Sequence, residues 1–105
     1  MSADAFLIVR SVVDEPLRAA FENWYAGHHL PLAARQFRTE QAWRFWSVSD
    51  PAVHYAVYRF ADLATLNARL APEEFRSLVE DYDRAWPQGV TRTREILNLA
   101  ERFGS

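Results

Sequence analysis

The stretch Ala5 to Val13, AFLIVRSVV, carries apolar side chains on both faces of a predicted strand, with Phe6, Ile8 and Val12 on one side and Leu7, Val9 and Val13 on the other. A strand of this kind has to be covered twice. His54 to Phe60, HYAVYRF, has the same character, with Tyr55 and Val57 opposed to Ala56, Tyr58 and Phe60. Any fold for this chain must therefore bury both faces of its central strands.

The elements around these strands follow from periodicity and punctuation. Asp14-Glu15-Pro16 is a helix-start signal after the first strand. Leu17, Ala20, Phe21, Trp24 and His28 then recur at helical spacing, and Gly27 and Pro31 bracket the expected end of this first helix. Gln41 to Val48 and His54 to Phe60 read as strands joined through Ser49-Asp50-Pro51-Ala52, a turn-forming link, so they form a hairpin. Ala61 to Leu70 and Pro72 to Trp86 read as helical, the second with Phe75, Leu78, Val79, Tyr82 and Trp86 as its apolar stripe. Val90 to Leu99 is a last strand, although Asn98 to Arg102 equally suits a short terminal helix.

The order strand, helix, strand, strand, helix, strand is the split βαβ arrangement of α+β ferredoxin-like domains, an antiparallel four-stranded sheet with helices on one face. The 105 residues suit one such domain. Since the helices cover one face only, a second copy of the same sheet is the simplest cover for the other, and a two-fold homodimer is expected.

Composition removes several function classes. A net charge of −2 builds no strong field toward phosphate or anionic lipid, so neither nucleic acid nor a membrane is an expected partner. All 12 basic residues are Arg, which leaves no lysine for Schiff-base chemistry and gives any cationic role to a guanidinium. Without cysteine there is no thiolate nucleophile or ligand, and a reducing cytoplasm is compatible. No apolar run approaches the length of a bilayer span, and Ala5 to Val13, interrupted by Arg10, reads as a strand and not a signal peptide. Glycine-rich phosphate loops, a Gly-x-Ser-x-Gly elbow and zinc or iron ligand spacings are all missing, so no cofactor or metal is expected.

Within Trp24-Tyr25-Ala26-Gly27-His28-His29-Leu30-Pro31-Leu32-Ala33, the segment His29 to Ala33 has the form His-x-Pro-Leu-Ala, with the aromatic Tyr25 four positions ahead of the histidine. This stretch resembles the signature of the EthD-like branch of the dimeric α+β barrel superfamily. Related families have Trp-Tyr followed shortly by Glu-His-Leu-Pro, and His28 stands here in place of that Glu. The resemblance implies a homodimer with back-to-back sheets and a pocket in each subunit between sheet and helices. Its members include cofactor-independent monooxygenases, cyclases and isomerases, so the fold does not choose the reaction.

His29 is the leading candidate for chemistry, since an imidazole at a helix end bordering a pocket can move a proton at neutral pH. The alternative is a histidine that caps the last carbonyls of the helix. His28, on the stripe of Leu17, Phe21 and Trp24, is expected to face the sheet as a hydrogen-bonded core residue, with catalysis as its second reading. His54, at a strand end, is expected at the surface. Trp24, Tyr25, Trp43, Trp46, Tyr82 and Trp86 are candidate walls for a small hydrophobic or aromatic ligand, with Arg44 or Arg59 to bind its carbonyl or carboxylate; ordinary core and interface packing is the competing account of each ring. Arg92 and Arg94 share one parity on the last strand and are expected to pair with acids at an edge. Two functions remain in view: a cofactor-independent enzyme that abstracts a proton beside a carbonyl through His29, or a non-catalytic binding or structural dimer. A pocket well below about 300 Å³ favours the second.

Overall fold

A computed structural model of the chain describes residues 3–104. Four strands form one antiparallel sheet: β1 (Ala5–Val13), β2 (Gln41–Trp46), β3 (Val53–Phe60) and β4 (Val90–Asn98), in the order β2-β3-β1-β4. The helices α1 (Arg18–Trp24), α2 (Leu30–Phe37), α3 (Leu63–Arg69) and α4 (Pro72–Ala85) supply the remainder of the ferredoxin-like α+β fold expected from the element order. The last strand ends at Asn98, and no terminal helix follows it up to residue 104.

Local chemistry sets the element ends. Pro16 lies in a short 3-10 turn, Glu15–Leu17, where its missing N–H removes no needed bond. Asp62 caps α3 by accepting from the Thr65 backbone N–H at 2.7 Å. Gly89, between α4 and β4, has φ +82, and a Cβ there would stand 2.5 Å from Leu17 Cδ1, so only glycine fits this turn. Its carbonyl accepts from the Asp14 N–H at 2.9 Å and ties the end of β1 to the start of β4.

The first helix does not stop at Gly27 or Pro31. A π-helical turn, Tyr25–His29, joins α1 directly to α2, so the chain stays helical from Arg18 to Phe37. Proline lacks an N–H and its ring clashes with the carbonyl four residues back in a regular helix. A wider turn immediately before Pro31 relieves both problems. The turn also resets which residues face the sheet. Phe21, Tyr25, His29, Ala33 and Phe37 are all buried, a strict spacing of four. At about 100° per residue a regular helix would carry such a row about 160° around its surface, and the widened turn cancels part of that drift.

One sheet face is core. Ala5, Leu7, Val9, Ser11 and Val13 of β1 are buried beneath the helices with Ala56, Tyr58 and Phe60 of β3. The opposite face carries Phe6, Ile8, Trp43, Val57 and Tyr55, all partly exposed, and Phe45, which is 51% exposed. The two-faced apolar pattern of β1 and β3 thus leaves one face uncovered in a single chain. Among the described residues no helix is long and apolar enough to cross a membrane.

Candidate functional site

The π turn determines which histidine faces inward. Trp24 and His29 are five apart, which would place them about 140° from each other on a regular helix. The i to i+5 geometry of the π turn stacks their rings instead, with centroids 4.5 Å apart and planes 16° apart. His29 is consequently buried, at 5% exposure, with Tyr25 and Tyr82 edge-on at 5.0 and 5.8 Å. His28, expected on the core stripe, points outward with half of its side chain exposed. The extra residue in the turn reverses the expected burial of the two, and His29 remains the one that borders the cavity.

Both imidazoles meet one carboxylate, that of Asp81 on α4. Its Oδ2 accepts from His29 Nδ1 at 2.8 Å, and its two oxygens lie 3.0 and 2.9 Å from His28 Nε2. Burial pushes the His29 imidazole below its ordinary pKa of 6.5, and the hydrogen bond and charge of Asp81 only partly oppose this. Partial burial pushes the Asp81 carboxyl up, but the hydrogen bonds from His28 and His29 outweigh it and hold the group below its ordinary value. At neutral pH the pair is thus a neutral imidazole donating through Nδ1–H to a carboxylate. Nε2 of His29 has no hydrogen-bond partner among the described residues and keeps its lone pair.

His29 borders a small cavity of about 30 Å³ between sheet and helices. Its apolar wall comes from Leu7 and Val9 of β1, Ala33 and Phe37 of α2, and Phe75 and Leu78 of α4. Tyr25, Tyr58, Tyr82, Arg92 and Arg94 supply the polar groups. Burial, followed by the neighbouring phenols Tyr58 and Tyr82, raises the Tyr25 hydroxyl, and burial raises those of Tyr58 and Tyr82, so all three are neutral donors at physiological pH. Tyr82 is further engaged with Ser11 Oγ at 2.6 Å. Beside the cavity, and sharing Leu7, Phe75 and Arg94 with it, is an open groove of about 360 Å³ that also includes Leu70, Ile96 and the acidic Glu95.

Of the other candidate residues, Tyr25 and Tyr82 line the cavity and Trp24 backs it through the stack on His29. Trp43 lies on the opposite sheet face, opposite Val57 and away from the helices. Trp46 and Arg44 face the helices but serve Glu22 of α1: Arg44 Nη1 and Nη2 donate to its two oxygens at 2.9 and 2.7 Å, and Trp46 Nε1 donates at 2.7 Å. These bonds, Arg44 first, hold the Glu22 carboxyl at about 2. Trp86 packs on Phe21 and Trp24, outside the cavity wall. His54 is fully buried and not at the surface, because Phe21, Tyr25 and Trp46 enclose its ring and Arg44 Nη1 reaches its Nε2 at 3.2 Å. Burial and then the Arg44 charge lower its pKa to about 4. Arg59 pairs with Asp4 at 3.3 Å and stays clear of the cavity.

Sequence reasoning missed Asp81 and Glu22; Arg92 and Arg94, expected to pair with acids at an edge, do stand on the edge strand β4, and both also line the cavity. Arg92 does reach Asp83 at 3.2 Å, yet it also lies over the Tyr82 ring at 4.2 Å. Asp81 adjoins Tyr82 on the apolar stripe of α4, and a carboxylate flanking such a stripe was the available signal. Among the described residues, no three His, Cys, Asp or Glu side chains are grouped to hold a metal ion.

No protein-family model and no curated protein matches the chain. Solved structures do match in fold. SnoaB from Streptomyces nogalater, a cofactor-independent oxygenase, superposes with a TM-score of 0.70 at 16% identity over 99% of this chain and 100% of its own. An EthD family protein from Bacillus halodurans gives 0.65 at 14% identity over 87% and 96%. HapK from Hahella chejuensis gives 0.65 at 16% over 97% and 94%. The chain shares the ferredoxin-like α+β barrel fold of these proteins.

Proposed function

We propose that this chain is a homodimeric, cytoplasmic, single-domain enzyme that works without a cofactor and abstracts a proton beside the carbonyl of a small hydrophobic or aromatic compound. The observation that carries this reading is His29: buried, neutral, held through Nδ1 by Asp81 and bordering an apolar cavity. In the step, the substrate C–H bond breaks, the proton passes to Nε2, and the electron pair moves onto the carbonyl oxygen as an enolate. Asp81 keeps the ring in the tautomer that leaves Nε2 basic and stabilises the imidazolium that forms. It is a positioning residue. The cyclase, isomerase and oxygenase chemistries all begin with such a proton transfer, and the shared fold with SnoaB, a cofactor-independent oxygenase, supports the enzymatic reading.

The cavity volume favours a second reading. About 30 Å³ holds one water, against the roughly 300 Å³ or more of an ordinary ligand pocket. A binding or structural dimer without catalysis is consistent with so small a space. An enzyme requires the substrate body to lie in the adjoining groove and only its reactive carbon to enter.

The test is deuterium incorporation into phenylacetone in D₂O, followed by proton NMR at the carbons beside the carbonyl. The wild-type protein is expected to accelerate exchange, and His29→Ala to reduce that acceleration on the order of 10²-fold. Equal rates with both proteins overturn the base assignment and leave the binding reading. For the dimer, sedimentation at micromolar concentration is expected to show a pair that Phe45→Glu, on the open sheet face, dissociates.

A further inference from the structure

The cavity wall contains two guanidinium groups and no carboxylate. Arg92 and Arg94 stand on the helix-facing side of β4, opposite Ser11 and Val9 of β1. Arg92 is committed in part, through a single contact of 3.2 Å to Asp83, whose own side chain is mostly exposed. Arg94 lies over the Phe75 ring at 4.3 Å and makes no ion pair among the described residues. It borders the cavity shared with His29 and also the groove with Leu70, Phe75 and Ile96. Ile96 is 46% exposed, so the groove offers apolar contact surface that this chain leaves open.

Two neighbouring positive charges repel each other, here with Arg92 partly buried and Arg94 exposed. The Arg94 guanidinium is lowered from its ordinary value by burial and by Arg92, although it remains charged at any physiological pH. Arg92 has Asp83 as a partner, but Arg94 makes no ion pair among the described residues and borders the cavity, so its positive charge is open to an anion. A planar guanidinium offers two parallel N–H donors that match a carboxylate. The cation–π seat on Phe75 fixes where the fork lies while leaving its edge free to donate.

We infer that the ligand is a small organic acid, with an apolar or aromatic body in the groove of Leu70, Phe75 and Ile96, and a carboxylate bound by Arg94 with Arg92 in support. This deepens the reading of the His29 site and rests on it for the reaction, though not for the binding. The same arrangement serves catalysis, since a cation near the carbonyl favours the enolate that forms when His29 removes the proton. A 2-oxo acid places a carbonyl and its adjacent C–H within one short chain of the carboxylate, so Arg94 and His29 would engage a single molecule from two sides.

The test compares phenylpyruvate with phenylacetone, which differ in carrying a carboxylate or a methyl on the same ketone. Dissociation constants come from NMR titration of the wild type, Arg94→Gln, Arg94→Lys and His29→Ala. Phenylpyruvate is expected to bind the wild type about tenfold tighter or more, as one charge-assisted bidentate contact allows. Arg94→Gln should abolish that preference, Arg94→Lys should restore part of it, and His29→Ala should keep it. Amide spectra unchanged away from each substituted residue establish that the variants are folded. Equal binding of the two ketones, a preference that survives Arg94→Gln, or no binding of phenylpyruvate at millimolar concentration each overturns the inference. Acetate binding as tightly as phenylpyruvate overturns the role of the apolar groove. Failure of the base assignment is separate, because it shows as exchange that His29→Ala does not slow while the Arg94-dependent preference persists.

Discussion

His29 and Asp81 meet across two helices that are far apart in sequence, the imidazole Nδ1 at 2.8 Å from the carboxylate Oδ2, with His28 closing on the same carboxylate from the solvent side. The arrangement depends on the π turn, which sends one of two adjacent histidines inward and the other outward. It also makes the two unequal for stability. His29→Ala removes the stack on Trp24 and a buried hydrogen bond, and is expected to cost about 2–3 kcal/mol. His28→Ala removes an exposed contact and should cost below about 1 kcal/mol. Chemical denaturation of both variants checks the order, which is the reverse of the one the helical stripe predicts when it is read without the π turn.

A pH dependence of stability follows from His54. Its folded pKa of about 4 lies below the ordinary 6.5, so the unfolded chain takes up a proton before the folded one. Stability is therefore full above pH 6.5, falls as the pH drops toward 4, and levels below that, a loss of about 3 kcal/mol at 1.36 kcal/mol per unit. His29, also lowered, acts in the same direction below 6.5. Glu22, at about 2 against 4.5, adds its own loss as the pH falls through that lower window. In His54→Gln the amide oxygen can accept from Arg44 without titrating, so the variant should lose much of the slope between 6.5 and 4. Denaturation midpoints measured across this range would contradict the account if the two proteins gave parallel curves.

Gly27 offers a direct check on the continuous helix. It sits within the π turn, its φ lies outside the left-handed region, and a Cβ there meets nothing within 4 Å. Alanine keeps helical geometry and restricts the unfolded chain, so Gly27→Ala should stabilise the protein by about 0.5–1 kcal/mol. A destabilised variant would mean that the chain breaks its helix at this residue.

Most of the fold was legible because the two periodicities that set it are local. Branched runs such as AFLIVRSVV and the stripe Phe75, Leu78, Tyr82 declare strand and helix without knowledge of their neighbours. The two-faced pattern of β1 likewise pointed to the sheet face that the chain leaves open. What was not legible depended on a change of period or on distant pairing. A regular helical template places His28 on the stripe, whereas the row of every fourth residue from Phe21 to Phe37 follows the widened turn. Asp81 looks like one more solvated acid in Glu80-Asp81-Tyr82-Asp83, and only the packing of α4 against the π turn brings it to the histidines. His54 is similar: a strand-end histidine becomes a core residue because Arg44 and three rings close over it.

The proposed chemistry requires His29 to be a neutral base whose Nε2 lone pair is available to a molecule in the cavity. Nitrogen-15 NMR of the imidazole rings, recorded across a pH titration, reads the tautomer and the midpoint of each histidine separately. His29 is expected as the Nδ1–H tautomer at pH 7, with a midpoint below 6.5, and Asp81→Asn is expected to lose that fixed tautomer. A ring protonated at Nε2 at pH 7, or a midpoint above 6.5, would contradict this expectation.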